Sequence, residues 1–184
     1  MPFEFAPTAI TGVQLVTARA FADERGRFSE SYQASAFAAA GITEPFHQDN
    51  LSWSTKRGTL RGLHYQTPPF AQGKLVRCLA GRIFDVVVDL RPGSPTERRT
   101  ASFELAAEAG TMLWVPAGLA HGFQTLVDDC LVTYKTTAEY RADHEGGIRW
   151  DDPELAIGWP VQPAILSPRD AGLPLLAAVD WSAR

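Results

Sequence analysis

The segment Arg61-Gly-Leu-His64-Tyr-Gln66 gathers a guanidinium, an imidazole, a phenol and an amide into one short run. An imidazole titrates near neutrality, so His64 suits proton abstraction at physiological pH, provided a partner fixes its tautomer. The same surroundings suit a structural, hydrogen-bonded histidine, and the run alone leaves both readings open. In a flat strand Arg61 and His64 point to opposite faces; to share one cavity they need a bulge, a bend or a long arginine reach. Lys74 opens the run Lys-Leu-Val-Arg-Cys-Leu79. Facing outward it is a snorkelling edge lysine. Facing inward, its ammonium would stabilise a developing enolate oxygen, and Asp85 would help to orient it. Tyr134, in Leu-Val-Thr-Tyr-Lys135, reads by itself as a core aromatic with its hydroxyl satisfied at a rim.

His121 follows the compact turn Pro116-Ala-Gly-Leu-Ala120, which is like the histidine-bearing turns of cupin barrels. No His-X-His pair accompanies it, so a cavity-wall donor or a packed, satisfied histidine is favoured over a metal ligand. Gly-rich phosphate loops, zinc-type Cys/His spacing and the Gly-X-Ser-X-Gly nucleophile motif are all missing from the sequence.

Short strands must position these side chains. From Thr59 onward the runs 60–66, 74–79, 82–90, 99–105, 112–115 and 130–136 are apolar and punctuated by Gly, Pro or acidic turns. The run 82–90 puts Phe84, Val86, Val88 and Leu90 on one face and Asp85 and Asp89 on the other, with apolar residues on both, as in a strand between a core and a covering layer. Hardly any crossover helix separates these runs, which argues for an antiparallel sandwich or barrel. Upstream, 12–17 reads as an early strand, 23–28 as a charged turn, and 35–40 as a short helix stopped by Gly41. Five prolines from Pro153 to Pro174 predict a C-terminal part of loops and short helical turns.

With 184 residues, 45% of them apolar and 21% charged, one folded domain over residues 1–184 is expected. Seventeen Lys and Arg against 21 Asp and Glu give a net charge of -4, which disfavours extended nucleic-acid binding yet leaves converging arginines free to hold a diphosphate. Cys78 and Cys130 both lie in apolar runs and are expected as buried thiols. Neither a secretory signal nor a membrane-spanning apolar stretch is present in the sequence, so the cytoplasm is the expected compartment.

An ordered series of motifs sharpens this reading. Asp23-Glu-Arg-Gly-Arg-Phe-Ser-Glu30, Gln48-Asp-Asn50, Gly58-Thr-Leu-Arg-Gly-Leu-His-Tyr-Gln66, Lys74-Leu-Val and Asp85-Val-Val-Val-Asp-Leu-Arg91 come first. Val115-Pro-Ala-Gly-Leu-Ala-His-Gly-Phe123, Tyr134, Tyr140, Glu145-Gly-Gly-Ile-Arg-Trp-Asp-Asp-Pro153 and Leu166-Ser-Pro-Arg-Asp170 follow. Together they resemble the dTDP-4-dehydrorhamnose 3,5-epimerases from about Val13 to Pro174. The resemblance implies an all-β, cupin-type antiparallel barrel (jelly roll) with short peripheral helices. A homodimer is also implied, with N-terminal strands at the dimer contact, a C-terminal wrapping segment, and neither metal nor redox cofactor. By the same resemblance His64 is the base, Asp170 its dyad partner, Tyr134 the opposing acid and Lys74 the enolate stabiliser. Arg25, Glu30, Gln48, Asn50, Arg61, His121, Tyr140 and Glu145 would lie in or beside a sugar-nucleotide cleft, and Phe28 would contact the nucleoside across the dimer. The implied reaction is inversion at C3 and C5 of a dTDP-linked 4-keto-6-deoxy sugar. A 3-only or 5-only epimerase, a silent nucleotide-sugar-binding cupin and a metal-dependent cupin are the alternatives.

Overall fold

The computed structural model describes residues 2–179. From the N-terminus come β1 (Phe3–Pro7), β2 (Gln14–Ala18), the hairpin of β3 (Ala20–Asp23) and β4 (Gly26–Ser29), and helix α1 (Ala34–Ala39). Next are β5 (Gln48–Ser54), β6 (Leu60–Gln66), β7 (Lys74–Ala80) and β8 (Arg82–Asp89). Then β9 (Thr100–Ala106), β10 (Thr111–Val115), β11 (Leu119–Thr125) and β12 (Cys130–Thr136) follow. Beyond them lie only short pieces, among them β13 (Glu145–Gly147) and α2 (Pro168–Ala171).

The strands form a six-stranded sheet, β1-β2-β10-β7-β12-β5, a five-stranded sheet, β13-β6-β11-β8-β9, and the separate hairpin β3-β4. All named pairings are antiparallel. The expected closed cupin-type barrel is therefore corrected. Hydrogen bonding does not continue from one sheet into the other, and β1, β5, β13 and β9 remain edges. Period-two alternation is satisfied equally by facing open sheets and by a closed barrel, so it carries no information about closure.

One core cluster joins Val76, Cys78, Leu113 and Val132 of the larger sheet to Ile83, Val87, Leu105 and Phe123 of the smaller one. On the other side of β8, Val86, Val88 and Leu90 pack beneath Leu155, Trp159 and Leu176 of the C-terminal part. Thus β8 is covered on both faces, as its alternation predicts. Cys78 and Cys130 are buried free thiols. Phe37 of α1 is fully buried against Phe3, Phe5 and Tyr32 on the outer face of the larger sheet.

Strands β1, β3, β4, β5, β11 and β13 escape the sequence reading, and β11 and β5 show why. Every residue of β11 is buried, so it shows no polar face; the turn expected before His121 is present at 117–118, and the strand begins at Leu119, so that His121 itself stands inside it. In β5 the inward positions are the polar Gln48, Asn50 and Ser52, while Leu51 and Trp53 are exposed, which inverts the usual pattern. The charged turn expected over 23–28 is the tip and second arm of the β3-β4 hairpin. Among the described residues no helix is long and apolar enough to cross a membrane.

Candidate active site

The site is built on an irregularity in β6. In the ladder with β11, His64 faces His121 while Arg61 faces Phe123, so β6 carries one residue more than its partner over this interval. Gly62 sits at the bulge with φ +129, and a Cβ there would lie 2.5 Å from the Cα of Gly122 and 2.9 Å from the oxygen of His121. Glycine is needed for both its dihedral and the close approach. The extra residue shifts the phase of the strand, so Arg61 and His64 line the same cleft. A bulge is thus the device that brings the two together.

Asp170 reaches His64 across 106 positions of sequence: His64 Nε2 lies 2.7 Å from its Oδ1. Ser167 caps α2, its hydroxyl accepting from the Asp170 N–H at 3.0 Å, and Pro168 starts the helix. Burial pushes the Asp170 pKa up, but hydrogen bonding and charge from His64, the Gly62 N–H and the nearby Arg169 outweigh it and hold the carboxyl below its usual range. An ionised carboxylate only accepts, so His64 Nε2 carries the proton and Nδ1 is left as the basic nitrogen.

Lys74 begins β7 and is 9% exposed. Its Nζ donates to the His64 carbonyl at 3.3 Å. Burial pushes the ammonium pKa down to about 8, against the attraction of Asp85 and Glu145. Tyr134 of β12 pairs with Val76 of β7, and Thr136 pairs with Lys74, so the phenol and the ammonium share the inner face. Burial raises the Tyr134 pKa and Glu145 adds to this, against the opposing charge of Arg61, so the phenol keeps its proton at neutral pH. His121 Nε2 lies 2.9 Å from both oxygens of the buried Asp85. Asp85 therefore bonds His121 and reaches Lys74 only through its field.

These groups line a cleft with a lobe of 510 Å³ and a lobe of 130 Å³, which share His64, Lys74 and Tyr134. Asp170, Arg61 and His121 border the larger lobe, and Gln48, Asn50, Tyr140 and Glu145 the smaller one. Three expected cleft residues are elsewhere. Arg25 is ion-paired with Asp23 at the tip of the β3-β4 hairpin, Phe28 is 68% exposed on it, and Glu30 directly follows it. The hairpin is a sheet of its own, tied to the body by Arg27, which donates to the carbonyls of Ala107 and Glu108. Within one chain these residues do not meet the cleft.

Arg169 was not singled out in the sequence, although it lies in the Leu166-Ser-Pro-Arg-Asp170 motif. Its Nη2 lies 2.6 Å from Glu145 Oε1, and Tyr140 donates to Glu145 Oε2 at 2.5 Å. Burial raises the Glu145 pKa, but the Arg169 and Tyr140 hydrogen bonds outweigh this and lower it. The signal available for Arg169 was its place next to Asp170 in that motif, and the structure puts both at the larger lobe. Among the described residues no group of three or more His, Cys, Asp or Glu side chains is placed to hold a metal ion.

The sequence model of the dTDP-4-dehydrorhamnose 3,5-epimerases matches residues 7–178. This chain belongs to that family. A family member from Sinorhizobium fredii is 49% identical over 179 residues, covering 97% of this chain and 92% of its own. The crystal structure of the Bacillus anthracis dTDP-4-dehydrorhamnose 3,5-epimerase, with TDP and PPi bound, superposes with a TM-score of 0.93. It is 46% identical and covers 95% of this chain and 99% of its own. A dTDP-6-deoxy-D-glucose-3,5-epimerase from Legionella pneumophila, in complex with dTDP-4-keto-L-rhamnose, gives a TM-score of 0.93 at 43% identity, with 97% and 95% of the two chains covered.

Proposed function

We propose that this epimerase inverts both C3 and C5 of dTDP-4-dehydro-6-deoxy-D-glucose, giving dTDP-4-dehydro-L-rhamnose. The observation that carries the chemistry is the 2.7 Å contact between His64 Nε2 and Asp170 Oδ1 in a cleft lined by Lys74 and Tyr134. The C4 ketone acidifies the hydrogens on both neighbouring carbons. His64 Nδ1 takes one proton, the C–H electron pair forms a C=C bond, and the carbonyl pair moves to O4. Lys74 holds the enolate oxygen with its ammonium. Tyr134 returns a proton to the opposite face of the carbon, the ketone reforms, and the imidazolium and phenolate re-equilibrate with water. Either deprotonation puts its charge on the same oxygen, so one residue set serves both carbons. Electrons return to the bonds they left, and no redox partner is needed.

Arg61 and Arg169 supply forked donors for the diphosphate, local positive charge in a chain of net charge -4. One catalytic domain, a cytoplasmic location and a homodimer complete the reading. In that dimer the hairpin carrying Arg25, Phe28 and Glu30 closes the partner's cleft. The support for this arm is its exposure, with Phe21 and Phe28 at 51% and 68%, and the exposed Leu51 and Trp53 bordering the larger lobe. Light scattering at low concentration tests it, and a stable, fully active monomer refutes it.

The deciding experiment is incubation with the 4-keto substrate in deuterated water, followed by position-specific proton spectroscopy and product stereochemistry. Deuterium at both C3 and C5 with both centres inverted is the expected result. Inversion at C3 with C5 still protonated after prolonged incubation would make the protein a 3-epimerase, and the reverse a 5-epimerase.

A further inference from the structure

The run Arg61-Gly-Leu-His64-Tyr-Gln66 ends on an amide that the reaction above does not use. Gln66 is 5% exposed, although it borders the smaller lobe of the cleft. Its Nε2 donates to the carbonyls of Phe70, at 2.6 Å, and Glu139, at 3.2 Å, and its Oε1 accepts from the Arg141 N–H at 2.6 Å. An amide has two N–H donors, and both are taken, so Gln66 has no hydrogen left to offer a sugar. It acts through what it holds.

What it holds is the chain on either side of Tyr140. Among the described residues, the one backbone–backbone hydrogen bond made by 138–141 runs from the His144 N–H to the Arg141 carbonyl. The other polar groups of this stretch need side-chain partners, and three glutamines supply them. Gln72 donates to the Ala138 carbonyl at 2.7 Å, Gln48 accepts from the Tyr140 N–H at 2.8 Å, and Gln66 takes Glu139 and Arg141. Gln66 also sits at the far end of the Tyr140 contact, because its main chain is the register partner of Glu145 in β13. Tyr140 donates to Glu145 Oε2, and Glu145 Oε1 holds Arg169, the neighbour of Asp170. One residue thus fixes the phenol by its side chain and the carboxylate by its backbone. Tyr140 is 48% exposed, so burial contributes little to holding it. We propose that Gln66 is a positioning residue for the epimerisation: by holding the main chain on both sides of Tyr140 it keeps that phenol on Glu145, and with it the wall of the smaller lobe beside His64, Lys74 and Tyr134. The assignment rests on the epimerase reading above and adds to it a residue that touches no reacting atom.

Gln66→Met, similar in length and without polar atoms other than sulfur, removes all three hydrogen bonds. Its kcat/KM for the 4-keto substrate should fall roughly tenfold, while calorimetric affinity for dTDP, which places no sugar in the smaller lobe, holds within about threefold. In a Tyr140→Ala background the same substitution should change kcat/KM by less than about twofold, because the residue it acts through is gone. Tyr140 also reports its own position. The Glu145 hydrogen bond raises its phenol pKa, with burial and the Glu145 charge adding to this and Arg169 opposing it. Loss of that contact should bring the phenol down toward the ordinary value of about 10 in a tyrosine ring-carbon NMR titration, assigned with Tyr140→Phe. Gln66→Glu keeps the shape and the acceptor for Arg141 but sets oxygen against the Phe70 and Glu139 carbonyls. It should show the same kinetic loss and serves if the methionine variant is poorly folded.

Turnover within about twofold of wild type in both variants overturns the proposal, as does an equal loss in the Tyr140→Ala background, which would make Gln66 a general support of the fold. A matching loss of dTDP affinity, a Tyr140→Ala protein with wild-type turnover, or an unmoved Tyr140 titration in Gln66→Met would overturn it too. Wild type that turns over no 4-keto sugar refutes the reaction instead, and the Tyr140 titration, which needs no substrate, then still decides whether Gln66 holds the phenol on Glu145.

Discussion

Replacing Asp170 with Asn keeps the shape of the side chain and removes its charge, so it isolates what the carboxylate does for His64. The pair is 2.7 Å apart in a site where Asp170 has 7% and His64 27% of its side chain exposed. Before reaction the imidazole is neutral and the carboxylate is worth one hydrogen bond. After proton abstraction it faces a full positive charge. With charge centres about 4 Å apart and an effective dielectric near 20, the added attraction is about 4 kcal/mol. Most of it exists only once the imidazolium forms, so it lowers the barrier and leaves ground-state binding nearly unchanged. Asp170→Asn should therefore cut kcat by about 10²–10³, with KM within about threefold. The assay is loss of the C3 and C5 proton signals in deuterated water at saturating substrate, beside substrate affinity by calorimetry. A variant whose exchange rate stays within fivefold of wild type would refute the dyad, whatever the distance between the two residues.

Lys74→Met should lower kcat much more than substrate affinity, because the enolate charge develops along the reaction path; a pure binding defect in calorimetry would reassign the residue to positioning. Burial brings the folded-state Lys74 pKa to about 8, so between about pH 8 and 10.5 the unfolded chain holds a proton that the folded chain has shed, and stability rises with pH across that window. Denaturation at pH 7 should accordingly find Lys74→Met more stable than wild type, by up to about 3 kcal/mol, and a less stable variant would contradict this. Wild-type kcat/KM should decline above about pH 8 as the ammonium deprotonates, and a flat profile to pH 10 would remove the cation from the mechanism. In Tyr134→Phe, exchange at the labile carbons should persist while inversion is lost; unchanged rate and stereochemistry would take Tyr134 out of the acid role. Gly62→Ala should destabilise the fold by about 2–5 kcal/mol through its positive φ and the 2.5 Å clash with Gly122; urea unfolding within 0.5 kcal/mol of wild type, as an approximate threshold, would show that the bulge tolerates a side chain.

What the sequence determined by itself is local. Expected 60–66 and 130–136 are β6 and β12, because alternation and flanking turn residues are properties of a few neighbours. The family followed from the order of its motifs, and with it a residue set of which ten members border one cleft. Tertiary structure alone decided the rest. Strand β11 was illegible because both of its faces are covered, by the core on one side and the C-terminal layer on the other. Closure was misjudged because each strand has the same pattern in an open sheet as in a barrel, and only unpaired edges tell the two apart. The dyad spans 106 positions, and neither residue carries a mark of the other. That Arg61 and His64 face one way depends on Gly62 meeting Gly122 across the ladder. Side-chain period is set by bonds along the chain, whereas register, burial and the phase shift of a bulge are set by whichever strand lies alongside.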